Sequence, residues 1–166
     1  MNGDVLFRRV VETVQEICLK VGDIMGSVSL YYPCDGDTAE VLSRFALASS
    51  DYKGTVAEEL PGRIRVTVSE EDCIRMSRLP VKETMRDVVT LINEGADIER
   101  FRREILLKHE GARLTESHQI DHDWVLMFPG DDDVYCITVE LGRLTYHRFY
   151  RDEYLKFGYN LEDRLT

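Results

Sequence analysis

The run VYCITVEL, Val134–Leu141, followed by Gly142 and then RLTYHRFY, Arg143–Tyr150, decides the fold. Both runs are rich in β-branched and aromatic side chains and alternate with a period of two, the pattern of half-buried strands. A two-residue turn at Leu141-Gly142 sets Glu140 opposite Arg143. Counting back, it pairs Val139 with Leu144, Ile137 with Tyr146 and Cys136 with His147. One residue of slip would exchange the two faces of the last strand, so the register decides which of its residues are buried.

Upstream, DWVLMF (Asp123–Phe128) has the same period, and PGDDD (Pro129–Asp133) joins it to the next strand. The three runs form an antiparallel meander. One face gathers His122, Trp124, Leu126, Tyr135, Ile137, Val139, Leu144 and Tyr146. The other gathers Asp123, Val125, Met127, Val134, Cys136, Thr138, Thr145, His147 and Phe149. The first is expected to face the core, with Trp124 its largest side chain.

Further upstream the period lengthens. Val10, Val11, Val14, Ile17, Cys18 and Val21 make the buried stripe of a helix that ends at Gly22. Val28, Leu30 and Tyr32 alternate as a strand closed by Pro33, and Ile64, Val66 and Val68 alternate as another. DYKGTVAEELPG, residues 51–62, reads as a loop with room for one helical turn. Asp37, Ser69 and Asp97 sit where helix caps belong, and apolar stripes follow each of them. The expected architecture is α+β over residues 1–166 as a single domain: a mainly antiparallel sheet, a C-terminal three-stranded meander, and helices packed on one side.

With 43% hydrophobic and 31% charged residues, the chain is globular in composition. Its net charge of −10 repels phosphate backbones and anionic lipid surfaces, so neither nucleic acid nor a membrane is an expected partner. The densest basic cluster, Arg100, Arg102, Arg103, Lys108 and Arg113, is interleaved with Asp97, Glu99, Glu104 and Glu110 and reads as a self-paired helix face. No apolar stretch reaches the length of a membrane span, and Arg8, Arg9, Glu12 and Glu16 interrupt any leader-like run, so a cytoplasmic location is expected. The four cysteines lie far apart without a Cys-x-x-Cys pair, which argues against a zinc knuckle or a disulfide framework.

The segment DVYCITVELGRLTYHRFYRDEYLKFGY, residues 133–159, following the helix DIERFRREI, residues 97–105, resembles an uncharacterised bacterial family known only as a domain of unknown function. The resemblance rests on YCITVE and YHRFYRDEY and covers the second half of the chain. It implies a bacterial protein and supplies no activity, cofactor or catalytic residue.

Four groups of residues are chemically suggestive. SHQIDHDWVLMF, residues 117–128, places His118 and His122 four apart with Asp121 between, a metal-ligand spacing on a helix. The aspartates and the onset of the two-residue period favour a polar loop leading into a strand instead, and no metal or other cofactor is expected. Cys136 opposite His147 brings a thiol beside a potential base, although a mid-sheet setting among Val125, Met127, Val134 and Phe149 suits a buried thiol and a hydrogen-bonded core histidine better than an accessible nucleophile. Cys34 precedes a helix start, but Asp35 and Asp37 oppose thiolate formation there. The Asp131, Asp132 and Asp133 run lacks the ligand spacing of a calcium loop and reads as a solvated hairpin tip.

No nucleotide-binding or nucleophile-elbow motif is present. The expectation is a non-catalytic protein-binding or regulatory module, with Tyr135, Tyr146, Tyr150, Tyr154 and Tyr159 offering an amphipathic surface to a protein partner or a second copy. The alternatives are a small enzyme or metal protein using His118, His122, His147 and Cys136, and an acidic immunity or inhibitor protein.

Overall fold

The computed structural model describes residues 1–34 and 36–156. The chain is α+β and divides into two compact units, Met1–Lys82 and Glu83–Thr166. Among the described residues the strands are all antiparallel and fall into two sheets, one in each unit.

In the first unit α1 (Gly3–Val21) is opened by Asn2, whose side chain accepts from the Val5 N–H, and closed by Gly22 at φ 83°. Leu6, Val10 and Val14 are fully buried along its stripe. Gly3 begins the helix where a Cβ would stand 2.4 Å from the Phe45 backbone nitrogen, so α1 and its neighbour approach closely only because no side chain is there. β1 (Val28–Pro33), α2 (Thr38–Ala48), β2 (Thr55–Leu60), β3 (Arg63–Val68) and α3 (Glu70–Ser77) follow. Asp37 and Ser69 cap α2 and α3 by accepting from Glu40 N–H and Asp72 N–H. The sheet order is β1-β3-β2, and Ile64, Val66 and Val68 of the central strand are fully buried.

Residues 55–60 correct the loop expected over 51–62. The strand β2 pairs with β3 from Thr55↔Val68 to Leu60↔Arg63, around the turn at Pro61-Gly62. As an edge strand it keeps Val56, Glu58 and Glu59 exposed, so its composition does not alternate cleanly. Cross-strand pairing of Glu58 with Arg65 contributes to holding it.

The second unit contains α4 (Glu83–Asn93), α5 (Ile98–Lys108), β4 (Arg113–Glu116), β5 (Trp124–Met127), β6 (Asp133–Glu140), β7 (Arg143–Tyr150) and α6 (Arg151–Lys156), with sheet order β4-β5-β6-β7. The meander has the expected register: Val139↔Leu144, Ile137↔Tyr146 and Cys136↔His147. Leu141 and Gly142 both have positive φ, 52° and 76°, as a hairpin turn matched to strand twist requires. Beyond the meander, β4 adds a short edge strand that sequence patterning did not reveal.

Leu126, Tyr135, Ile137 and Leu144 on the first face pack with Val88 and Leu91 of α4 and Phe101 and Ile105 of α5. Val125, Met127, Val134 and Cys136 on the second face pack with Tyr154 of α6. Trp124 is only partly buried at the start of β5, so Tyr135, not Trp124, is the largest fully buried side chain of the first face.

The solvated hairpin tip is also corrected. Asp133 is fully buried, with Oδ1 2.8 Å from Arg148 Nη1, whose side chain is 3% exposed. Asp131 accepts from the Thr84 hydroxyl at 2.9 Å, and the Asp132 carbonyl accepts from the Arg151 N–H at 3.0 Å. Removing one member of a buried pair strands the other charge, so Arg148→Ala is expected to cost about 3–5 kcal/mol. Denaturation followed by Trp124 fluorescence reads this loss, and a cost under about 1 kcal/mol would mean that the pair is hydrated. Far-UV circular dichroism on the wild-type chain then tests the proposed single domain 1–166: one shared midpoint supports it, and separate midpoints divide it.

Candidate functional site

An open groove of about 600 Å³ lies on the second face of the four-stranded sheet. The pairing of β6 with β7 builds its floor, because Cys136 opposes His147 and Thr138 opposes Thr145. Phe149 extends β7 one alternation further, and Tyr146 contributes from the rim. Asp121 and His122 close one end.

His122 reaches this groove because strand alternation stops at Trp124, which corrects its assignment to the first face. The Asp123 N–H donates to the Ile137 carbonyl at 2.9 Å, while the Asp123 carboxylate accepts from the Val139 N–H at 2.7 Å. This side-chain substitution in the ladder lets the preceding residue swing across. The Thr138 hydroxyl donates to the Asp121 carbonyl at 3.3 Å and ties the loop to β6. His122 Nδ1 then lies 2.8 Å from Asp121 Oδ1, a geometry in which the carboxylate accepts and Nδ1 carries the proton.

The rings form a series across the face. His122 and Tyr154 are 6.4 Å apart, Tyr154 and Phe149 are 6.4 Å apart, and Phe149 and His147 are 4.5 Å apart with planes 32° from parallel. His147 is exposed, whereas Cys136 is only 4% exposed. The expected cysteine and histidine are therefore neighbours with different access to solvent.

Of the other metal candidates, Asp121 is on the rim and His118 is exposed in the loop outside the lining. Among the described residues no group of three or more His, Cys, Asp or Glu side chains is placed to hold a metal ion. Of the tyrosines expected on a contact surface, Tyr135 and Tyr154 are fully buried and Tyr150 is 4% exposed. Their rings fill the two faces of the sheet and are core side chains, which leaves Tyr146 as the one that borders open space. Tyr159 and Asp35 lie outside the described residues.

Sequence reading passed over His109. It caps α5, places Nε2 2.6 Å from Asp87 Oδ2 on α4 and packs against Phe128. Lys108 Nζ reaches the same carboxylate at 3.0 Å. The partners lie 22 residues apart on different helices, so no local spacing announces them. This cluster joins two helices and borders a smaller hollow of about 190 Å³.

All four cysteines are free thiols. Burial pushes Cys73 up to about 11, with Cys18, Asp72 and Glu70 adding to the effect, and burial also raises Cys18. Because the folded value of Cys73 exceeds its ordinary 9.0, its contribution to stability is complete below pH 9 and is lost as pH rises toward about 11. Cys73→Ala is expected to flatten the stability profile across that window, measured by denaturation from pH 8 to pH 11. An unchanged slope would mean that the thiol titrates normally.

The family described as "Domain of unknown function, E. rectale Gene description (DUF3877)" matches residues 3–158. The chain belongs to this family. The match extends the resemblance from the second half to nearly the whole chain and covers most of each unit. Neither the curated proteins nor the solved structures give a match. No helix among the described residues is long and apolar enough to cross a membrane.

Proposed function

We propose that this chain is a non-catalytic binding or regulatory module and that the groove between the Asp121–His122 end and β7 receives its ligand. The observation that carries the reading is the convergence of hydroxyls, two imidazoles and aromatic rings around one open concavity, the mixture that orients a bound molecule. Cys136 supports binding over turnover, since only 4% of its surface is exposed. The four free thiols favour a reducing compartment such as the bacterial cytoplasm.

A second reading, a thiol enzyme, is favoured by one fact: Cys136, His147 and the Asp121-oriented His122 border the same groove. One experiment separates the two. A chemically mixed fragment set is titrated into labelled protein and followed by amide NMR shifts and mass spectrometry. The binding reading expects shifts clustered at residues 121–122, 136–138 and 145–149, hits recovered unchanged, and their loss in Thr145→Trp, which fills the groove from an exposed position. Consumed fragments or acylated Cys136 would establish the thiol reading, and scattered shifts would remove the groove as the site.

A further inference from the structure

We propose that the groove takes a planar heteroaromatic molecule bearing N–H donors, in neutral or cationic form. This rests on the binding reading and adds the chemical class. The exposed His147 ring lies 4.5 Å from the Phe149 ring at 32°, so the two rings stack and the imidazole offers its other face as a flat shelf. A planar π system is the shape that covers such a shelf without leaving gaps.

Beside the shelf, Thr138 and Thr145 stand directly opposite each other on the same face. Thr138 spends its proton on the Asp121 carbonyl, so its hydroxyl oxygen offers lone pairs. The Asp121 carboxylate, with its side chain 58% exposed, adds acceptor character at the rim. The Thr138 oxygen and the Asp121 carboxylate thus place acceptors beside the shelf, which suit a ring whose edge presents N–H groups. Among the described residues no Lys or Arg lines the groove, and the chain carries a net charge of −10, which disfavours phosphorylated or carboxylated rings.

Three sets of probes test the class by amide NMR titration of the intact chain: adenine, 2-aminopyridine and 4-aminoquinoline; benzoate as a planar anion; and cyclohexylamine as a cation without a π face. The expected result is saturable shifts at Thr138, Thr145 and His147 with members of the first set and none with the other two. Affinity should fall about tenfold in His147→Ala, from lost stacking. It should also fall in Thr145→Val, which keeps the side-chain shape; both positions are exposed, so unchanged spectral dispersion verifies the fold. If benzoate or cyclohexylamine binds at these amides while the heteroaromatic amines do not, the class is overturned and the groove survives as a binding site. If the amines shift only amides elsewhere, or none at all, the class is overturned, and the mixed fragment titration decides the groove independently.

Discussion

The alignment of β6 with β7 is the constraint on which the second unit depends. It is pinned at both ends by different physics. At one end the Leu141-Gly142 turn, with both residues at positive φ, permits only a two-residue reversal and sets Glu140 against Arg143. At the other, Arg148 reaches Asp133 inside the core, where a slipped strand would leave two charges unpaired. A buried ion pair adds little net stability over apolar packing, but it penalises the wrong register heavily. Here that penalty coincides with the preference of Leu144 for the apolar face that Val139 and Ile137 share.

The groove is a consequence of this alignment together with one local departure from it. Register alone supplies Cys136 beside His147 and Thr138 beside Thr145. The Asp123 carboxylate replaces a backbone partner for Val139 and ends the alternation, which delivers His122 and Asp121 to the same face. Structure and chemistry are linked at this point: a strand continued regularly through residue 122 would turn His122 toward α4 and α5.

Much of this architecture is legible in the sequence, because it follows from short periods and local caps. The meander register, the caps at Asp37, Ser69 and Asp97, and the stripe of α1 all depend on neighbours within a few residues. What escaped detection depends on distant partners. The edge strand β2 is half polar and is defined by β3, and β4 has only four residues. Asp133 reads as a turn residue until Arg148 is placed against it. The tyrosines illustrate the same limit, since Tyr135 and Tyr154 look amphipathic in sequence but lie fully buried on opposite faces of the sheet. The face that His122 takes is not legible in the sequence, because the break in alternation is made by a side-chain hydrogen bond that no periodicity encodes.

The most direct test of the account is the cross-strand proton contacts of β6 and β7 in solution, obtained by nuclear Overhauser spectroscopy on the intact chain. The structure predicts side-chain contacts from Cys136 to His147 and from Ile137 to Tyr146, with contacts between the His122 ring and Tyr154. Contacts pairing Cys136 with Tyr146, or Ile137 with His147, would place β7 one residue out of register and dissolve the groove along with every function assigned to it.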